Sequence, residues 1–218
     1  MSNPEQADIQ IDIVSDVVCP WCIVGFLQLN SALEELEMRA AIRWHPFELN
    51  PSMGAEGENL RAHLMGKYGI SLEQSRAARQ NLETLGRSLG FRFAFEDETR
   101  IVNTFRAHQL LDYAESQHLQ HPLKLALFQA YFSQGMDVSD QGTLVEIARS
   151  VGLDEEAARD ALDSGRFANT VRQKEHFWTS RGISGVPAVI FAEKYLMTGA
   201  QGIDGYRDML RRCQAEAA

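Results

Sequence analysis

The chain has 218 residues, of which 44% are hydrophobic and 23% charged, and its formal net charge is −9. This composition is that of an ordinary globular protein and excludes a disordered or fibrous chain. The acidic excess disfavours a nucleic-acid-binding surface, because phosphate binding needs clustered lysine and arginine. No apolar run approaches the roughly 20 residues that a membrane-spanning helix needs. We therefore expect one sizeable core, or one domain with a large insertion.

The first eight residues carry Glu5 and Asp8, and they have neither a basic cluster nor a following apolar run that could form the core of a signal peptide. We therefore expect a cytoplasmic protein. Thiols are kept reduced in that compartment, so the three cysteines do not predict a structural disulfide framework. Cys213, which lies in the last predicted helix, has no predicted role.

Residues 9–14 form a short apolar run that predicts a strand, and residues 41–47 predict a second one. Between them, a helix is predicted from Pro20 to about Met38. Pro20 suits the first helical turn, where its missing N–H costs nothing. The beginning of the chain is thus a strand, helix, strand unit.

Cys19-Pro20-Trp21-Cys22 lies where the first strand passes into that helix. Two thiols three positions apart can form a small disulfide and open it again. The unpaired N–H groups at the helix start favour a thiolate on Cys19, so a lowered pKa is expected there. Cys19, at the cap, is expected to be exposed, whereas Cys22 is expected to be shielded by Pro20 and Trp21. The motif predicts redox chemistry.

Residues 51–165 contain successive helical patterns and no predicted strand. A capping box, Ser71 followed by Gln74, opens one of these helices, which should end near Gly90. The remaining helices of this region are predicted at residues 60–68, 104–117, 122–134, 143–151 and 154–163.

After a further helix at residues 167–181 the strands return, at 188–191 and 195–198, and a final helix covers 203–213. The predicted class is therefore α/β. The predicted domains are a discontinuous one, 1–50 with 166–218, and an inserted helical one, 51–165.

The order of elements, the early CPWC motif and the late Val186-Pro187 together resemble the thioredoxin fold of the DsbA family, in which helices are inserted mid-chain. More narrowly, the chain is similar to the FrnE-like branch of that family. The matching strings lie at residues 15–16, 19–22, 44–51, 103–108, 130–132, 182–187 and 199–201.

The resemblance implies a thiol:disulfide oxidoreductase or isomerase with Cys19 as nucleophile and Cys22 as resolving thiol. It also implies a cis Pro187, with the Val186 backbone available to an extended substrate. The expected substrates are protein or small-molecule disulfides, and the expected redox partner is glutathione or thioredoxin. No tightly bound cofactor is expected.

Asp16 precedes the motif and could orient the loop or accept a proton during resolution by Cys22; the alternative is a solvated loop residue. Four further residues are secondary candidates, namely His45, Asn50, Asn103 and His108. The ordinary structural alternatives are a turn at Asn50-Pro51, a helix cap at Asn103 and a packed core histidine at His108. A zinc site is disfavoured, since no second CxxC or paired Cys/His motif supplies four ligands.

Two other functions stay open. Kappa-type glutathione transferases and 2-hydroxychromene-2-carboxylate isomerases resemble the same fold, but they typically carry serine at the position of Cys19, so the retained Cys19 and Cys22 favour redox turnover. The third function is a chaperone-like binder of unfolded chains, which would not need the thiols.

Overall fold

A computed structural model describes residues 7–217. The expectation that the chain lacks a signal peptide concerned residues 1–8, and most of these lie outside the described residues. In chain order the elements are β1 Ile9–Ser15, α1 Pro20–Glu35, β2 Ala40–Pro46, β3 Glu58–Asn59, α2 Leu60–Tyr68, α3 Leu72–Ser88, β4 Arg100–Ile101, α4 Phe105–Ser116, α5 Gln120–Gln134, α6 Gln141–Ser150, α7 Glu155–Asp163, α8 Ala168–Thr179, β5 Ala188–Phe191, β6 Tyr195–Thr198 and α9 Gly202–Ala217.

The main sheet has the strand order β2-β1-β5-β6. β1 and β2 are parallel, so α1 serves as the crossover between them. β5 runs antiparallel to β1, with Val14 opposite Ala188, and β6 runs antiparallel to β5. The early and late parts of the chain therefore share one sheet.

Side chains of β1 alternate between the two faces of the sheet, as the geometry of a strand requires. Ile11 and Ile13 are buried on one face, and on that face Trp44 of β2 contacts the ring of Phe26 in α1 at a centroid distance of 5.4 Å. Val14 lies on the other face, where it packs with Ile183 and Ala188. Both faces of the central strand are thus covered.

The chain divides into two compact units, Met1–Leu49 with Arg172–Ala218, and Asn50–Val171. The domain bounds predicted from the sequence, 1–50 with 166–218 and 51–165, stay a prediction. No helix within residues 7–217 is both long enough and apolar enough to cross a bilayer. The predicted α/β class is confirmed.

The expectation that residues 51–165 contain no strand was wrong. β3 and β4 form a small antiparallel pair, with Glu58 opposite Ile101 and Asn59 opposite Arg100. Two-residue strands are too short to show the alternation of polar and apolar residues that identifies a strand in a sequence. Their pairing is a tertiary contact that the local pattern does not encode.

The first helix also ends earlier than expected, at Glu35 instead of Met38. Glu37 has a φ of 52°, in the left-handed region, and this conformation ends the helix. The Met38 N–H then donates to the Leu33 carbonyl at 2.9 Å.

Asp12 is a buried carboxylate on β1 with a complete set of charged and polar partners. Its oxygens accept from Arg43 Nε at 2.8 Å and Gln10 Nε2 at 3.1 Å, and Oδ1 lies 2.7 Å from His45 Nε2. Burial raises the pKa of Asp12, but the hydrogen bonds from His45, Arg43 and Gln10 outweigh it and hold the pKa well below its usual range. Asp12 is therefore ionised in the folded protein.

We predict that Asp12→Asn lowers the free energy of unfolding by about 2 kcal/mol at pH 7, the scale of hydrogen bonds to a charged group. Because the folded pKa lies below the unfolded value of about 3.9, the stabilisation is complete above that pH and is lost as the pH falls towards the folded pKa. Urea unfolding from pH 7 to pH 2 should show a weaker acid dependence in the variant.

The matched control is Asp160→Asn, which removes an exposed ion pair with Arg166 and should cost between 0 and about 1 kcal/mol. An unchanged acid profile in Asp12→Asn would contradict the assignment of the acid sensitivity to Asp12.

Candidate active site

The CPWC motif lies at the start of α1, directly after β1. Cys19 is the N-cap, with φ −90° and ψ 111°, and Pro20 occupies the first helical position. The Cys19 N–H donates to the Asp16 carbonyl at 3.2 Å, and the Cys22 N–H donates to the Cys19 carbonyl at 3.1 Å. A tight turn followed by one helical turn therefore holds both cysteines at the helix start, and no disulfide joins them.

The expectation that Cys19 is exposed was wrong, because the residue is only 3% exposed. Its Sγ lies against the late part of the chain and donates to the Val186 carbonyl at 3.6 Å. Cys22 is fully buried, and the exposed member of the motif is Trp21, at 47%. Cys19 is thus a buried thiol whose sulfur lies against the Val186 carbonyl.

Val186 and Pro187 lie directly before β5. The peptide bond between them is cis, the isomer that the family resemblance implied, and Pro187 is buried. The Pro187 carbonyl accepts from the Gly199 N–H at 2.8 Å. The pairing of Val14 with Ala188 brings this segment to the end of β1, where the cysteines are.

The expectation of a lowered pKa for Cys19 was also wrong: its pKa is raised well above the ordinary value of a thiol. The hydrogen bond with the Cys22 side chain is the largest cause, followed by burial and by charge on Cys22, and the charge of Asp16 adds to them. The Cys22 backbone N–H at the helix start acts in the opposite direction and is outweighed. Two thiolates side by side in a buried site repel, so the pair resists carrying two charges.

Asp16 is 1% exposed, so it is not a solvated loop residue. Its Oδ2 accepts from the Leu49 N–H at 2.8 Å, just beyond the end of β2. A buried carboxylate thus lies close enough to the thiols for its charge to raise the pKa of Cys19. The proton-accepting role of Asp16 stays a prediction.

The secondary candidates do not join the two cysteines in any contact that the structure describes. His45 binds Asp12 and has its ring 4.8 Å from that of Trp178. The other three lie in the unit 50–171. Asn50 Oδ1 accepts from Lys67 Nζ at 2.6 Å and lies 3.1 Å from His63 Nε2.

Asn103 caps α4 in part, because its Oδ1 accepts from the Phe105 N–H at 2.9 Å, although the N-cap residue itself is Thr104. His108 is 2% exposed within α4. Among residues 7–217, no three or more His, Cys, Asp or Glu side chains are grouped so as to hold a metal ion.

Tyr206 of α9 also lies beside the motif, and it was not predicted from the sequence. Its hydroxyl lies 3.1 Å from the point where a Cβ on Gly25 would stand. A glycine inside an apolar helix, three residues after Cys22, was the available signal, since glycine is a poor helix former and a buried one needs a packing reason.

A model of the DSBA-like thioredoxin domain matches residues 10–211, nearly the whole chain. The chain belongs to this family. The predicted thioredoxin-like fold with a helical insertion and the predicted enzyme class, a disulfide oxidoreductase of the DsbA family, are confirmed. The narrower resemblance to the FrnE-like branch stays a prediction.

The chain is also similar to individual proteins. The uncharacterized protein YwbO of Bacillus subtilis is 24% identical over 197 residues, which are 90% of this chain and 92% of YwbO. The structure of a probable DsbA oxidoreductase from Streptomyces coelicolor has a TM-score of 0.89 at 29% identity, over 95% of this chain and 91% of that one.

The cytosolic disulfide reductase DsbM from Pseudomonas aeruginosa shares the fold at 17% identity, with a TM-score of 0.65 over 96% of this chain and all of its own. A second structure of DsbM contains glutathione.

We predict that Asp16→Asn moves the pH profile of Cys19 alkylation to lower pH, because a charge that raises the pKa of Cys19 is removed while an amide oxygen can still accept from the Leu49 N–H. Iodoacetamide labelling across pH, followed by mass spectrometry of the Cys19 peptide, measures this. Asp160→Asn is the remote control and should leave the profile unchanged. A profile that stays in place or moves to higher pH in Asp16→Asn would contradict the electrostatic role.

Proposed function

We propose that this DsbA-family protein is a thiol:disulfide oxidoreductase of the FrnE-like branch in which Cys19 is the nucleophile and Cys22 the resolving thiol. One observation carries the proposal: two cysteines in thiol form lie at the start of α1, with Cys19 Sγ 3.6 Å from the Val186 carbonyl next to Pro187. Retention of both cysteines supports redox turnover over glutathione-dependent isomerisation.

The chemistry runs through a mixed disulfide. The Cys19 thiolate attacks one sulfur of a substrate disulfide, a Cys19–substrate bond forms, and the other substrate sulfur leaves as a thiolate that takes up a proton. The Cys22 sulfur, after losing its proton, attacks Cys19 Sγ. The Cys19–Cys22 disulfide forms and the second substrate thiol departs, so that the substrate gains two electrons and the protein loses them.

The raised pKa of Cys19 affects the first step, the attack on the substrate disulfide, because only the thiolate attacks. The hydrogen bond with Cys22 and the charge on Cys22 are among its causes, so the two sulfurs resist being ionised together. Cys19 attacks when it is ionised and the proton of the pair lies on Cys22. Asp16, buried beside the pair, is the proposed acceptor of that proton during resolution, a task that suits a carboxylate shielded from water.

The proposed substrate contact is the Val186 backbone. Its carbonyl faces Cys19 Sγ in the reduced protein, and Val186 precedes the buried β5, so an extended peptide that pairs with Val186 would present its disulfide to Cys19. Trp21, nearly half exposed in the motif, adds an apolar surface. Both features fit substrates that are extended polypeptides.

Glutathione is the proposed redox partner in a cytoplasmic setting. The support is the fold shared with the cytosolic reductase DsbM, whose structure was also solved with glutathione. Two glutathione molecules would reduce the Cys19–Cys22 disulfide and leave as glutathione disulfide, which closes the cycle. Protein disulfides or small-molecule disulfides then serve as the oxidant.

We predict that Cys19→Ser abolishes the glutathione-dependent reduction of insulin, because no thiolate remains to attack the substrate. Cys22→Ser should stop turnover as well, but it should accumulate a mixed disulfide on Cys19 that mass spectrometry detects. The matched control is Cys213→Ser, the same substitution at the buried cysteine of α9, and it should retain turnover. Wild-type rates in Cys19→Ser would exclude the proposed nucleophile.

A further inference from the structure

Tyr206 is a fully buried side chain in α9, on the unit that carries the cysteines. Its hydroxyl donates to the Gly199 carbonyl at 3.2 Å, and its ring centroid lies 6.3 Å from that of Phe191 in β5. Burial raises the pKa of Tyr206 to about 12, with a smaller contribution from charge on Cys22. The phenol therefore stays protonated at neutral pH and acts as a fixed hydrogen-bond donor.

Gly199 connects this hydroxyl to the segment beside Cys19. It has a φ of 78°, which favours glycine, and its N–H donates to the Pro187 carbonyl at 2.8 Å. The residue before Pro187 is Val186, whose carbonyl accepts from Cys19 Sγ. A continuous series of contacts thus runs from Tyr206 through Gly199 and Pro187 to the nucleophile.

Gly25 allows the same groups to approach α1. A Cβ at this position would lie 3.1 Å from the Tyr206 hydroxyl and 3.3 Å from Pro187 Cγ. Gly25 lies three residues after Cys22, so both residues are on one face of α1. The absence of a side chain lets Tyr206 and Pro187 both contact the helix that carries the dithiol.

We propose that Tyr206 is a positioning residue: through Gly199 it holds the Val186–Pro187 segment at its distance from Cys19, and it thereby sets both the dithiol–disulfide equilibrium and the apparent affinity for substrate. The inference rests on the proposed function of the dithiol. Tyr206 itself exchanges no proton and touches no reacting atom.

The hydrogen bond between Cys19 and Val186 determines in which direction a loss of positioning shifts the dithiol–disulfide equilibrium. The Val186 carbonyl accepts from the Cys19 thiol, a bond that exists only in the reduced protein, because the disulfide has no S–H to donate. If the segment relaxes away from Cys19, the reduced form loses this interaction and the disulfide form loses nothing. The dithiol then becomes a stronger reductant.

The test is Tyr206→Phe, which removes only the hydroxyl. In glutathione redox buffers the equilibrium constant should move about threefold towards the disulfide, which is about 14 mV at 29.6 mV per tenfold change for a two-electron couple. In insulin reduction KM should rise about threefold or more, with a smaller change in kcat, because positioning of the substrate strand is what is lost.

The matched control is Tyr131→Phe. Tyr131 is also buried, and its hydroxyl donates to a backbone carbonyl, that of Arg100, at 2.8 Å. Both variants lose the same kind of hydrogen bond, so both should be less stable to heat. Only Tyr206→Phe should shift the redox equilibrium and KM.

A second variant approaches the same contact from α1 and keeps the hydroxyl. Gly25→Ala would push its new Cβ against the Tyr206 hydroxyl and Pro187, so KM should rise here too. Combined with Tyr206→Phe, the rise should be smaller than the product of the two single effects, because the oxygen that the new Cβ meets at 3.1 Å is gone.

A Tyr206→Phe protein that turns over insulin with wild-type KM and an unchanged equilibrium constant overturns the inference, and so do equal shifts in Tyr206→Phe and Tyr131→Phe. Failure of the proposed function gives a different result: the wild-type protein itself would not reduce insulin faster than Cys19→Ser.

Discussion

The pairing of β1 with β5 is the constraint on which the site depends. Val14 at the end of β1 lies opposite Ala188 at the start of β5, so the residues that follow β1 and those that precede β5 meet at one edge of the sheet. The first group contains Cys19 and the second contains Val186. A slip of one residue in this register would turn every side chain of β5 to the opposite face and move Val186 by about 3.4 Å. The register of β1 and β5 therefore determines where Cys19 lies relative to the Val186 backbone.

This constraint also explains how the chain accommodates residues 50–171 between the two halves of the sheet. Closing a long loop costs little more than closing a short one, because the entropic cost grows only with the logarithm of loop length. The apolar contacts of Ile13, Val14, Ala188 and Val189, all buried, hold the two halves together. The insertion can then form its own compact unit without weakening the sheet.

Two buried carboxylates lie in or directly after β1, those of Asp12 and Asp16, and their charges have different effects. Asp12 has enough partners to stay ionised, and its pKa lies below the usual range. Asp16 lies near the thiols, where its charge raises the pKa of Cys19. The first carboxylate stabilises the fold, and the second adds to the causes that keep Cys19 protonated. The helix start favours a thiolate by about 0.3–1 kcal/mol at exposed sites, and at this buried site that contribution is outweighed by burial and by the second sulfur.

Much of this arrangement could be predicted from the sequence where local chemistry determines it. Pro20 at the first helical position, the capping box of Ser71 and Gln74, and the strand at residues 188–191 all lie where their patterns indicated. The burial of Cys19 could not be predicted, because Val186 covers it and lies 167 residues further along the chain.

Tyr206 was missed for a related reason. Its spacing in α9 is that of any core aromatic, and only the three-dimensional contacts with Gly199 and Gly25 distinguish it. Long-range contacts of this kind leave no periodic signal in the chain. The family resemblance supplied the proline isomer for the same reason, since few X-Pro bonds in folded proteins are cis.

Whether Cys19 and Cys22 form one redox couple can be measured by equilibrating the protein in buffers of reduced and oxidised glutathione. After acid quenching and alkylation, mass spectrometry of each cysteine peptide reports its oxidation state. We expect Cys19 and Cys22 to lose their thiols together, in a single two-electron transition to an intramolecular disulfide, while Cys213 stays reduced. Cysteines 19 and 22 that stay reduced throughout, or that form only separate mixed disulfides with glutathione, would contradict it.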